Sequence, residues 1–273
     1  MYEAHFGLSP RPFGDSPGPA GDVPLPSHDL ARRRLRYGLE QGGGPALLVG
    51  PPGSGKTALA RAVGAELGAR IVHLAFPLLP AAEFVAFLAD EFGAPASAPA
   101  AAEAGPGWSG SLRRLGAGLA AATARGDRPL LVVDEAHLIA DPAPFEALRL
   151  ALNFASLGPP DLGLLLVGGP EVMAHLPASL ADRLAARSWL GPLTLTETSA
   201  YVLGRLQLAG AARPLFDPPA LAELHHAAEG LPRRINRLAD LALLVAYADD
   251  RAGATRADVA AAAREAPFDL LAA

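Results

Sequence analysis

Gly50-Pro51-Pro52-Gly53-Ser54-Gly55-Lys56-Thr57 matches the pattern GxxxxGK[ST] at every fixed position, and its flanks decide what the match means. Ala46-Leu47-Leu48-Val49 before it is a short apolar run of the kind that forms a buried strand, and Ala58 to Leu67 behind it is helix-forming. Strand, glycine-rich turn and helix in that order make a phosphate-binding loop. Its glycines let successive backbone N–H groups turn inward around an anion, and the helix N-terminus adds partial positive charge. Gly50, Pro51, Pro52, Gly53, Ser54, Gly55, Lys56, Thr57 and Ala58 are therefore expected to cradle the nucleotide, with Lys56 reaching the β and γ phosphates of ATP and the Thr57 hydroxyl ligating Mg2+. Lys56 is the only lysine among 23 basic residues. A chain that otherwise uses arginine has kept one compact ammonium where terminal phosphates need a point charge.

The second half of the site follows about 75 residues later. Pro129-Leu130-Leu131-Val132-Val133 is an unbroken apolar run, as in a strand buried on both faces, and it ends in Asp134-Glu135-Ala136-His137. A carboxylate at Asp134 is placed to hold Mg2+, and Glu135 one residue on to polarise the attacking water.

Composition bounds the rest. Apolar residues make up 51% of 273, enough to bury a large domain with a smaller companion. The absence of cysteine excludes disulfides and thiolate metal sites. Met1 to Phe13 has no apolar signal core, and no window of about 18 apolar residues escapes interruption by Pro, Glu or Asp, so the expectation is a cytoplasmic protein with no transmembrane segment. His225 and His226 are adjacent, point in different directions on a helix, and so do not make an i, i+4 metal pair.

Along the chain, Met1 to Pro26 reads as an extended arm and His28 to Gln41 as a helix capped by Ser27. A strand near Ile71 to Ala75, a helix near Ala81 to Phe92, a low-complexity linker over Gly93 to Gly107 and a helix from Ser109 to Arg125 lead to the Asp134 strand. A helix from Pro144 to Ala155 and a strand from Leu162 to Val167 follow. Alternation of this kind implies a parallel sheet covered on both sides, with the ligand beyond the carboxyl ends of its strands. After Thr194 only helices are expected, over 198–209, 218–229, 233–249 and 256–264. The domain reading is 1–44 for the arm and first helix, 45–193 for the α/β nucleotide domain, and 194–273 for a small helical domain. Arg233 sits in a first helical turn, where a cation is electrostatically out of place unless it serves another purpose such as a phosphate contact.

Several further segments carry a family resemblance over nearly the whole chain. They are Tyr2 with His5-Phe6-Gly7-Leu8 and Pro12-Phe13, Ser27-His28, Tyr37-Gly38-Leu39-Glu40, Val132 to His137, Glu146 to Phe154, Leu164 to Val172, and Gly230 to Asp240. With these the chain resembles AAA+ ATPases of the ExeA or GspA type, a group related to TniB-like transposition ATPases. The arm and the GLPRRIN segment are more specific than the phosphate loop. The resemblance implies a P-loop NTPase sheet sandwiched by helices, a helical lid, and a ring or other homo-oligomer. It implies an arginine finger at Arg183, with Arg187 in reserve, acting on a neighbouring subunit's nucleotide, and a lid arginine, Arg233, that reports the γ phosphate.

Two positions depart from the family pattern. Gly169 stands where a glutamine is usual, so the side chain expected to align the water is absent there, and Asn153 is a substitute to consider. His137 stands where another glutamine is usual and could touch the γ phosphate or a partner. Three classes of function stay open: remodelling or assembly of a protein complex of the secretion or envelope machinery, ATP-dependent assembly on DNA, and a weakly hydrolysing switch. A net charge of -5 opposes a broad DNA surface, although Arg32, Arg33, Arg36, Arg113 and Arg114 could form one basic track.

Overall fold

A computed structural model describes residues 1–14, 23–41, 44–92, 107–153 and 162–265. The linker expected over Gly93 to Gly107 lies outside them except for Gly107, as does the end of the helix expected to reach Ala155. The chain divides into two compact units, one of Leu30–Pro51 and Lys56–Leu190, the other of Met1–Asp29, Pro52–Gly55 and Gly191–Ala273.

The first of these is an α/β sandwich. Strands β1 (Ala46–Val49), β2 (Arg70–Leu74), β3 (Pro129–Val133), β4 (Gly163–Gly168) and β5 (Ala186–Trp189) form one sheet in the order β2-β3-β4-β1-β5. All its pairings are parallel. Alternation along the strands divides the apolar side chains between two layers. Leu130, Val132, Leu165, Val167, Ala46 and Leu48 bury against Ala31 and Leu35 of α2 (Pro26–Glu40) and Leu59 and Val63 of α3 (Lys56–Glu66). Leu131, Val133, Leu164, Leu166 and Leu47 turn the other way, onto Phe84 and Leu88 of α4 (Ala81–Phe92), Leu115 and Leu119 of α5 (Trp108–Ala124), and Phe145 and Leu148 of α6 (Pro142–Asn153). Because both faces are covered, the central strands are apolar at successive positions, as the sequence implied.

Four elements of this unit have no counterpart in the sequence reading: β5, the single-turn helices α7 (Val172–His175) and α8 (Ala178–Ala181), and a 3-10 turn at Ala136–Leu138. Strand β5 pairs with β1 at the sheet edge, Ala46 opposite Ala186 and Val49 opposite Trp189. Only Ser188 of its four residues is buried, so no apolar run announces it.

The other unit is helical: α9 (Leu195–Leu208), α10 (Pro218–Ala227), α11 (Pro232–Ala248) and α12 (Arg256–Glu265). Its core runs through Val202, Leu206, Leu224, Ile235, Leu238, Leu243 and Val259. The N-terminal segment belongs to this core, since Tyr2, Phe6, Leu8, Phe13 and Leu25 are all buried in it. The expectation of a merely extended arm is thus corrected: residues Tyr2–His5 form a helical turn, α1, and the aromatic side chains after it supply apolar surface that a four-helix unit of this size needs. The Tyr2 hydroxyl donates to Asp240 Oδ1 at 2.5 Å, and Arg11 Nε donates to the same oxygen at 2.9 Å. Burial first, then the neighbouring Asp240 carboxylate, pushes the Tyr2 phenol well above its ordinary pKa.

Ser27 does not cap α2, which already begins at Pro26. Its N–H donates to Glu197 Oε1 at 2.9 Å, while Glu197 also completes a capping box with Thr194 at the start of α9. Burial alone would raise the Glu197 carboxyl, but the hydrogen bonds from Ser27 and Thr194 outweigh it and hold the pKa below its usual value.

Candidate active site

The carboxyl ends of three neighbouring strands converge on the site. In register, Val49 of β1 lies opposite Gly168 of β4, and Val133 of β3 opposite Leu166 of β4. The loop continues this pairing, with the Gly50 N–H donating to the Gly168 carbonyl at 3.2 Å. Gly53 and Gly55 adopt φ of +80° and +96°, a backbone region costly for any residue with a Cβ. A Cβ on Gly55 would approach His28 Nε2 to 3.2 Å, and one on Gly53 would reach the Arg233 Cβ at 3.0 Å. The glycines thus serve close approach as well as the turn.

Lys56 opens α3 and is buried, only 8% exposed as a residue, its Nζ donating to the Gly50 and Pro51 carbonyls at 2.9 and 3.0 Å. Thr57 Oγ1 donates to Asp134 Oδ2 at 2.7 Å, which joins a loop residue to the end of β3 across 77 positions of sequence. The other Asp134 oxygen accepts the Glu135 N–H at 3.0 Å. Ser54 Oγ is buried with no hydrogen-bond partner among the described residues, an orphan polar atom in the middle of the loop.

These groups fit a nucleoside triphosphate with Mg2+. The ion takes few protein ligands and retains waters, so a hydroxyl and a carboxylate side by side are a suitable donor set, while the inward loop and the buried ammonium suit phosphate oxygens. Glu135 stands beside this pair with a half-exposed side chain and a left-handed backbone, φ 50° and ψ 35°. Such a conformation in a non-glycine residue stores about 1–3 kcal/mol and recurs at functional sites.

Of the remaining sequence-derived candidates, Arg233 lies next to the loop segment of its own unit, its N–H donating to the Gly53 carbonyl at 3.2 Å. Pro232 opens α11, and Arg233 is exposed in its first turn, with no acidic partner for its guanidinium among the described residues. Arg183 follows α8, is exposed, and donates to Asn153 Oδ1 at 2.9 Å. Asn153, considered as a stand-in for the side chain missing at Gly169, is therefore engaged with Arg183. Arg187, in β5, donates to the Ala181 carbonyl at 3.0 Å.

His73 was missed by sequence reasoning. Its Nε2 lies 3.2 Å from Asp134 Oδ2, because β2 pairs with β3 and places His73 opposite Val132. The available signal was an imidazole interrupting the apolar run Ile71-Val72-His73-Leu74 of β2. The basic track weighed for DNA is largely neutralised: Arg32 pairs with Glu66 at 2.6 Å, Arg36 with Glu40 and Glu66 at 3.7 Å, and Arg114 with Asp90 at 2.9 Å. Among the described residues no helix is long and apolar enough to cross a membrane.

A phosphate loop, an acidic strand end and a parallel five-stranded sheet define a P-loop NTPase of the AAA+ type. The AAA domain family matches residues 39–176, more than half the chain, and the chain belongs to that family. Within it, the chain is similar to General secretion pathway protein A of Aeromonas hydrophila, 36% identical over 272 residues, covering 97% of this chain and 48% of that protein. This similarity bears out the ExeA/GspA resemblance, although the chain spans about half the length of that relative. Among solved structures, Cdc6p from Pyrobaculum aerophilum superposes with a TM-score of 0.69 at 21% identity, over 95% of this chain and 73% of that one. The ORC2 protein of Aeropyrum pernix, in ADPNP–ADP complexes, gives 0.67 at 19% identity, over 93% and 71%. At these identities the likeness establishes the fold, a parallel sheet sandwiched by helices and followed by a helical unit.

Proposed function

We propose that this protein binds and hydrolyses ATP with Mg2+ as a homo-oligomer, and that its cycle remodels or assembles a protein complex of the secretion or envelope machinery from the cytoplasmic side. The observation that carries the catalytic part is the 2.7 Å contact between Thr57 and Asp134, beside the buried Lys56 ammonium. Residues 45–193 act as the nucleotide domain and 194–273 as the lid; of residues 1–44, the first part shares the lid's core.

In this reading Thr57 and Asp134 hold Mg2+, which supplies neutralisation of the β and γ phosphate charge when bound. Lys56 transfers its donors from the loop carbonyls to phosphate oxygens. The Glu135 carboxylate accepts a proton as water attacks the γ phosphorus, the bond to the ADP oxygen breaks, and ADP and phosphate result. Arg183 from a neighbouring subunit stabilises the charge of the transition state, a contribution of about 10^3 to 10^5 in rate where such fingers operate. Arg233 contacts the γ phosphate, and its loss on hydrolysis changes the lid.

The protein partner is favoured over DNA because three of the five arginines of the candidate track, Arg32, Arg36 and Arg114, are already paired with carboxylates, which weakens it as a phosphate-backbone surface. The name of the 36%-identical relative points to secretion. Turnover and particle mass should be measured together, with Glu135→Gln as control and with and without duplex DNA. Turnover abolished by the substitution, ATP-dependent assembly and indifference to DNA are expected. Assembly without turnover would reduce the protein to a nucleotide-gated switch, and salt-sensitive stimulation by DNA would overturn the choice of partner.

A further inference from the structure

The two departures from the family pattern, His137 and Gly169, meet in space. The Gly169 N–H donates to His137 Nδ1 at 3.2 Å, and the same Nδ1 lies 3.5 Å from Glu135 Oε2. The two glycines at the end of β4 leave room for the ring. A Cβ on Gly168 would come within 3.1 Å of the His137 N and 3.2 Å of its Nδ1, and one on Gly169 would strike Glu171 Oε2 at 2.2 Å and reach His137 Cγ at 3.7 Å. From below, His175 Nδ1 bonds the His137 carbonyl at 3.0 Å, so the residue is held at its backbone as well as its ring. The His137 side chain is 25% exposed, and that of Glu135 is 50% exposed.

The hydrogen bond assigns the tautomer. An Nδ1 that accepts from Gly169 carries a lone pair, and the ring proton is then on Nε2. Nδ1 therefore has no proton to give Glu135. The ring walls one side of the carboxylate without occupying either of its oxygens, which stay available to accept a proton from water. A side chain unable to accept the Gly169 N–H would not be anchored there, and Glu135, already in a strained left-handed backbone, would lose that fixed wall.

We propose that His137 is a positioning residue for Glu135: its imidazole, anchored on the Gly169 N–H, fixes the direction of the candidate base while leaving it free to accept a proton. The proposal rests on the reading of Glu135 as that base.

Three substitutions test it. His137→Gln keeps an acceptor for the Gly169 N–H, His137→Leu fills similar space without one, and Glu135→Gln reports on the base itself. Steady-state ATP turnover, affinity for ADPNP and melting temperature are measured for each. The expected result is that His137→Leu loses at least about tenfold in kcat, a fraction of the general-base contribution, with ADPNP affinity and melting temperature held. His137→Gln should recover most of that loss. The proposal is overturned if Leu and Gln turn over alike, or if the kcat loss is matched by a loss of affinity or of thermal stability. If Glu135→Gln leaves turnover intact, the reading of Glu135 has failed first. If Glu135→Gln abolishes turnover while His137→Leu behaves as the unsubstituted protein, only the role of His137 has failed.

Discussion

Replacing Lys56 with methionine removes one charge while keeping the length and volume of the side chain. Lys56 as a residue is only 8% exposed and its Nζ donates to two loop carbonyls at 2.9 and 3.0 Å, so the ammonium is already positioned in a buried side chain before phosphate arrives. Two unit charges about 4 Å apart attract by about 4 kcal/mol at an effective dielectric of about 20. Giving up or sharing the bonds to Gly50 and Pro51 offsets about 1 kcal/mol, since net hydrogen-bond contributions are of that size. About 3 kcal/mol of binding remains, equivalent to a rise in Kd of roughly 100-fold. Folding should change less, because the two carbonyls that lose a donor are compensated by removal of a buried charge. Titration of a fluorescent ATP analogue measures the first quantity and a thermal melt the second. A Kd within threefold of the unsubstituted protein, at an unchanged melting temperature, would refute the assignment of Lys56 to the phosphates.

Arg183→Ala should leave nucleotide binding intact and lower turnover by about 10^3 or more, and mixing it with Lys56→Met should restore activity if the finger acts across subunits; equal loss of binding and turnover would remove that assignment. Glu197→Ala should cost about 1–3 kcal/mol in urea unfolding, because it removes the carboxylate half of the capping box on α9 and leaves the Thr194 and Ser27 N–H groups without their acceptor, while the Thr194 cap itself remains. The Glu197 pKa is lowered in the folded state, so its stabilising contribution is present above the unfolded value of about 4.3 and lost as pH falls through the folded one. Unfolding series at neutral and acid pH should accordingly show a shallower acid loss for the variant. Gly168→Ala should crowd the His137 ring and lower kcat at constant nucleotide affinity, which single-turnover measurement would reveal.

The phosphate loop, the Asp134 strand and the helical second half could be read from the chain because each is written in local signals. GPPGSGKT is contiguous; β3 and β4 are apolar at successive positions because both their faces are covered; α11 shows helical periodicity from Pro232 onward. Strand β5 escaped because an edge strand with one buried residue of four carries no such pattern, and its identity comes from pairing with β1. The arm's partners were equally hidden, since Tyr2 finds Asp240 only when α11 is packed, 238 residues away.

The sequence by itself determined which chemical groups the site has: one ammonium, one hydroxyl, two adjacent carboxylates and glycines where a Cβ would intrude. Only the tertiary structure decided how those groups face one another. Parallel pairing of β2, β3, β4 and β1 sets His73 against Asp134, Thr57 against the same carboxylate, and His137 between Gly169 and Glu135. Local propensity acts over a few residues, whereas these contacts are fixed by strand register and by the burial of two apolar layers, which depend on the whole folded chain.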